Sequence, residues 1–84
     1  MTETYPTAPG VHSELCRQTQ YVFQNLSQYF SEIEAAPVTG LHTGPSVRNV
    51  YWFQRKLGCA QTGIVDRDLY QALTALQRMC QLNL

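Results

Sequence analysis

Charge is scarce in this chain. Only 14 % of its residues are Asp, Glu, Lys or Arg, and the formal net charge is zero. A typical nucleic-acid binder gathers a clear positive excess, and that class is set aside. Cysteine is also sparse. Cys16, Cys59 and Cys80 are odd in number and lack CxxC spacing, which excludes a disulfide framework or a zinc site built on paired thiols. Cys16 and Cys80 fall on or beside apolar helical faces, where cysteine behaves as a small hydrophobe. Long apolar runs are missing too. Nothing approaches the roughly 20 residues that span a bilayer, so membrane insertion is not expected. The opening Met1-Thr2-Glu3-Thr4-Tyr5-Pro6 has neither the basic nor the apolar region of a signal peptide.

Catalytic and metal-binding patterns are equally absent. His12, His42, the cysteines and the carboxylates are scattered, whereas a zinc site needs three or four converging ligands. A Cys–His nucleophile would need an orienting third group and an oxyanion site, and no residues suggest them. Asp66 and Asp68 begin a helix, where negative charge complements the helix dipole. No catalysis, metal or cofactor is expected.

What the sequence does have is a core. Its 84 residues, 44 % of them hydrophobic, suit one domain with an economical interior. Charge is divided unevenly. Residues 1–34 set Glu3, Glu14, Glu32 and Glu34 against Arg17, a balance of −3. Residues 35–84 set Arg48, Arg55, Lys56, Arg67 and Arg78 against Asp66 and Asp68, a balance of +3. The two halves can attract each other within one fold.

Residues 1–12, with Pro6, Pro9 and Gly10, read as a flexible N-terminal arm or linker, and residues 13–84 as the domain. Ser13 suits the N-cap of a first helix. Leu15, Thr19, Val22, Phe23, Leu26, Tyr29, Phe30 and Ile33 recur at steps of three and four, which predicts a helix from about 14 to about 34. Pro45 suits the first turn of a second helix, with Val47, Val50, Phe53 and Leu57 as its apolar stripe and Gly58 as its stop. Asp66 can cap a third helix, whose face is Leu69, Ala72, Leu73, Leu76, Met79 and Cys80. The expected fold is all-α, a compact three-helix bundle.

Shifting the chain against itself by 23 residues uncovers a repeat. Thr39-Gly40-Leu41 aligns with Thr62-Gly63-Ile64, Val50 with Leu73, and Phe53-Gln54-Arg55 with Leu76-Gln77-Arg78. This predicts two equivalent loop-and-helix units packed on the first helix. Gly40 and Gly63 are expected to supply a positive φ or a close backbone approach at each bend. Leu41 and Ile64 are expected to plug the core. Gln54 lies about 50° from the centre of its helix's apolar stripe, at the 100° advance of an α-helix. There its amide can satisfy loop backbone groups.

The pattern resembles the peptidoglycan-binding domain-like family. In that family a repeated (Asp/Thr)-Gly-x-(Phe/Val)-(Gly/Asp)-x-x-Thr loop precedes a helix carrying Ala-Val-x-x-Phe-Gln. Here the first unit is Thr39-Gly40-Leu41-His42-Thr43-Gly44-Pro45-Ser46, then Asn49-Val50-Tyr51-Trp52-Phe53-Gln54. The second is Thr62-Gly63-Ile64-Val65-Asp66-Arg67-Asp68-Leu69-Tyr70, then Ala72-Leu73. The resemblance spans about residues 13–82 and is nearest the form found in clostridial cell-wall and spore-cortex proteins.

It implies a non-catalytic module that anchors a protein to bacterial cell-wall peptidoglycan, with a muropeptide as ligand. The partner would be a fused or associated cell-wall enzyme, and the setting the cell wall or spore envelope within a larger exported protein. The implied binding surface surrounds the first Thr-Gly loop and the start of the second helix, with His42, Thr43, Ser46 and Arg48, extended by Trp52. Two readings of Trp52 stand side by side. Its indole, flanked by Arg48, Arg55 and Lys56, either stacks on a sugar ring or packs on the first helix or the arm beneath the stems of its basic neighbours. The alternative function is a protein–protein interaction or structural module that kept the fold and lost the wall ligand. Thr39 and Leu69, which depart from the family pattern, point that way.

Overall fold

The computed structural model describes residues 5–82. Three helices carry the fold: α1 (Glu14–Leu26), α2 (Pro45–Leu57) and α3 (Arg67–Leu82). Their ends follow the chemistry of the sequence. Ser13 caps α1, its Oγ accepting from the Cys16 N–H at 3.0 Å. Pro45 opens α2, and Gly58 closes it with φ 74°, letting the Cys59 N–H turn back to the Gln54 carbonyl at 2.9 Å. Asp66 caps α3 by accepting from the Leu69 N–H at 2.8 Å.

The first helix is shorter than its periodicity predicts. It stops at Leu26, where the Ser27 hydroxyl donates to the Gln24 carbonyl at 2.6 Å and the regular ladder gives way to turns. The Gln28 N–H falls back on the Asn25 carbonyl, and tight turns carry the chain through Tyr29 and Ile33. Three-residue turns keep almost the same apolar spacing as a helix. Phe30 and Ile33 therefore still reach the core, although the helix has ended.

One continuous core joins the elements. Leu15, Val22, Phe23 and Leu26 come from α1, Val50, Trp52 and Phe53 from α2, Leu69 and Leu73 from α3, and Ile33 and Val65 from the connections. Tyr29, Leu57 and Met79, expected in that core, are exposed. The acidic and basic halves do meet: Glu34 binds Arg48, and Glu32 binds Lys56.

The arm expected to be flexible over residues 1–12 is docked from Tyr5 onward, while residues 1–4 lie outside the described residues. Thr7 and Val65 exchange backbone hydrogen bonds of 2.9 and 2.8 Å. The Gly10 N–H donates to the His42 carbonyl at 2.7 Å, and the His42 N–H donates to Val11 at 3.0 Å. The arm crosses both loops as an extended strap. A proline- and glycine-rich composition reads as freedom, but here backbone pairing supplies order, together with the packed Tyr5 and the buried Thr7 hydroxyl bonded to Ser13 at 2.7 Å.

Candidate functional site

The two Thr-Gly loops, residues 38–44 (loop 1) and 59–65 (loop 2), are built alike. Each threonine hydroxyl accepts from the N–H two residues on, Leu41 in one loop and Ile64 in the other, both at 3.1 Å. Gly40 and Gly63 have φ of 84° and 74°. A buried glutamine clasps each bend. Gln54 Oε1 accepts from the Gly63 N–H at 3.0 Å, and its Nε2 donates to Thr62 Oγ1 at 3.0 Å. Gln20 does the same for loop 1. Its Oε1 accepts from the Thr39 and Gly40 N–H groups, both at 2.8 Å, while Nε2 donates to the Leu41 carbonyl at 3.0 Å. Gln77, the repeat partner of Gln54, is half-buried and clasps no loop among the described residues.

Gln20 is the functional residue that the sequence reading missed. Its signal was present. It follows Thr19 on the buried stripe of α1, as Gln54 follows Phe53 on α2. The helix preceding each loop supplies the amide, so Gln20 lies ahead of the first repeat unit although Gln54 lies within it.

The core plugs are displaced by one residue. Leu41 and Ile64 remain 42 % and 36 % exposed, whereas His42 and Val65 are 0 % exposed. After each glycine the backbone is extended, so side chains alternate, and the second residue beyond the glycine turns inward. His42 is thereby a joint between the loops. Its Nδ1 lies 2.7 Å from Ser46 Oγ, and its Nε2 lies 2.7 Å from the Gly63 carbonyl. Burial pushes the ring's pKa down, with the Gly63 carbonyl opposing. Ser46 is also buried, and its Oγ meets the Cys16 thiol at 3.8 Å. Burial raises the Cys16 pKa against that hydrogen bond.

Trp52 is 4 % exposed. The turns after α1 fold across what the helical wheel showed as a polar face. Phe30 packs on the indole at 5.3 Å between ring centroids, Lys56 sits 5.7 Å over the ring, and the indole N–H donates to Glu32 at 2.7 Å. That bond and Lys56 hold the Glu32 carboxyl below the usual range. Arg48 is exposed and grips Glu34 with two hydrogen bonds, 2.7 and 3.0 Å, which lowers the Glu34 pKa and raises its own. Thr43 is exposed at the loop tip.

These residues border two different surfaces. An open depression of about 390 Å³ lies at the start of α2, where Thr43, Gly44, Arg48 and Tyr51 face Pro9 and Gly10 of the arm. Gly44 gives that helix end no side-chain cap. Tyr51 was not singled out from the sequence, since it stands off the apolar stripe like any surface tyrosine. A larger groove of about 590 Å³ runs between α2 and α3, lined mainly by Phe30, Trp52, Phe53, Leu57, Leu76 and Met79. Among the described residues no group of three or more His, Cys, Asp or Glu could hold a metal ion, and no helix is long and apolar enough to cross a membrane.

Comparison with models of known families, with curated proteins and with solved structures gives no match.

Proposed function

We propose that this domain is a non-catalytic binding module that anchors a larger exported protein, or an associated wall enzyme, to bacterial cell-wall peptidoglycan. The pair of glutamine-clasped Thr-Gly loops carries the reading, because the motif behind the resemblance is built twice with one geometry. The two units are not equal as binders. The start of α3 is closed by its own Asp66 carboxylate, while the start of α2 has no side-chain cap and borders the open depression.

A muropeptide offers sugar rings and carboxylates. Tyr51 supplies an aromatic edge, Thr43 a hydroxyl, and Arg48 a guanidinium. The Arg48–Glu34 pair is solvent-exposed, and such pairs contribute only about 0–1 kcal/mol, so an incoming carboxylate competes with it readily. His42 and Ser46 serve this surface from beneath, by fixing loop 1, and Trp52 holds the far side of α2.

The test is sedimentation with purified wall sacculi, together with amide-shift titration by soluble muropeptides. Retention by sacculi, shifts centred on Thr43, Gly44 and Tyr51, and at least tenfold weaker retention of Arg48→Ala are expected. A wild-type domain that stays in the supernatant, with unmoved amides at millimolar muropeptide, would sink the proposal.

A second reading is favoured by a different observation. The α2–α3 groove is apolar and open, and Leu57 and Met79 on it are 46 % and 58 % exposed. An apolar surface of this kind suits a protein partner better than a sugar. A protein–protein module that has left the wall ligand behind would use that groove and ignore sacculi.

A further inference from the structure

We propose that His42 is an acid-sensitive lock between the two Thr-Gly loops, and that protonating it releases loop 2 from loop 1 and from the arm while α1 stays folded. This inference is independent of the wall-binding reading.

The direction of each hydrogen bond follows from chemistry. The Gly63 carbonyl can only accept, so Nε2 carries the proton of the neutral ring. Nδ1 is then an acceptor, and the Ser46 hydroxyl donates to it. The Cys16 thiol completes the chain by donating to Ser46 Oγ. Every member of this relay is buried, and each has its proton assigned by the next. A solvent proton can be added only at the Nδ1 lone pair. The Ser46 O–H must then rotate away, and the ring becomes a cation without a counter-ion.

Among the described residues no carboxylate is paired with that ring. From α1 the titratable neighbour is Cys16, reached through Ser46. From α2, Tyr51 and Arg48 border the depression that His42 also touches, and Arg48 would repel the charge and is already engaged with Glu34. From the arm, His12 pairs with Leu41 and brings its ring against Gly40, adding a second imidazole rather than a carboxylate. Loop 2 presents the Gly63 carbonyl, whose bond favours the charged ring but is outweighed by burial. Burial without a counter-ion disfavours the charged ring, in line with its lowered pKa.

The pH window follows. The released ring titrates near its ordinary value of about 6.5, and the locked ring below it. The locked state is therefore fully favoured above that value, and it weakens as pH falls through it until the locked ring itself protonates. What gives way is set by the connections. Loop 2 is held by His42, by the Gln54 clasp, by the Thr7–Val65 pair and by the one core residue Val65, whereas α1 gives four residues to the core.

The experiment is backbone amide exchange between pH 7.5 and 5, with the His42 ring nitrogens followed by NMR. In the wild type, protection of the Gly63, Val65 and Thr7 amides should fall by up to about tenfold for each pH unit below 6.5, while Phe23 and Leu26 keep theirs. His42→Gln retains an N–H donor toward Gly63 and cannot titrate, so its loop 2 protection should be independent of pH. Ser46→Ala removes the donor that favours the neutral ring and so raises the locked ring's pKa toward the ordinary value; loop 2 protection should start lower at pH 7.5 and fall less on acidification. A wild-type loop 2 whose protection is unchanged down to pH 5 would overturn the proposal. So would an undiminished acid response in a folded His42→Gln.

Discussion

Replacing Gln20 by alanine measures how much of this fold depends on the glutamine clasps. The side chain is 5 % exposed and satisfies the N–H groups of Thr39 and Gly40 and the carbonyl of Leu41. Thr39 and Leu41 are exposed, so water can replace the amide there. Gly40 is buried, and the Arg17 Cγ and the Ser13 carbonyl would stand only 3.3 and 3.4 Å from a methyl placed on it, which leaves little room for a solvent molecule. The stranded N–H costs about 1–3 kcal/mol. Lost packing of the buried side chain adds about 1 kcal/mol, giving a total of roughly 2–4 kcal/mol. A chain of 84 residues has a total stability of only about 4–12 kcal/mol. Urea denaturation followed by far-ultraviolet circular dichroism should show the loss as a lower midpoint with an unchanged slope. Gln54→Ala should lose a similar amount, because Gln54 is 4 % exposed and the Gly63 N–H it satisfies is buried in the same manner. Gln24→Ala, an exposed change with one long 3.4 Å bond to Ala36, should cost under about 0.5 kcal/mol. A Gln20→Ala loss below about 1 kcal/mol, beside a full loss for Gln54→Ala, would refute the equivalence of the two loops.

Other perturbations separate local causes in the same assay. Gly63→Ala should cost about 2 kcal/mol or more, since φ is 74° and the new methyl would lie 3.1 Å from Tyr51 and 3.2 Å from Pro9 and Val47. Gly58→Ala shares φ 74° but faces open space, and about 1 kcal/mol is expected in its urea midpoint. Trp52→Phe keeps most of the packing and loses the indole bond to Glu32, so a loss of about 1–2 kcal/mol should appear in thermal unfolding. Asp66→Ala removes the α3 cap and should cost about 1 kcal/mol, with faster amide exchange at Leu69.

The helices and their caps could be read from the sequence because each depends on local chemistry. Ser13, Pro45, Gly58 and Asp66 mark their boundaries by side-chain type alone. The end of α1 could not be read this way. Tight turns after Leu26 preserve the spacing of Phe30 and Ile33, so periodicity cannot distinguish them from another helical turn. The positions of His42 and Leu41 were exchanged for a related reason. Hydrophobicity favours a leucine as the plug, but backbone alternation after a positive-φ glycine decides which side chain faces inward, and the histidine gains two partners there. The sequence left Trp52 between ligand stacking and packing, and it packs, with Phe30 and Lys56 on the indole. A helical wheel could not choose, since it shows one helix alone. It contains nothing of the segment that later crosses that face. Of the candidate surface, Thr43 and Arg48 lie open as the sequence suggested, His42, Ser46 and Trp52 lie within the fold, and Tyr51 joins from outside the original set.

The strap formed by the arm has a mechanical meaning. Thr7 is tied to Val65, and Gly10 and Val11 to His42, so a load applied ahead of Tyr5 reaches the two bends before it reaches any helix. A fragment beginning at Ser13 would leave the Val65 and His42 amides without their acceptors on Thr7 and Val11. The stretch that composition marks as flexible is the seam along which this small domain is fastened.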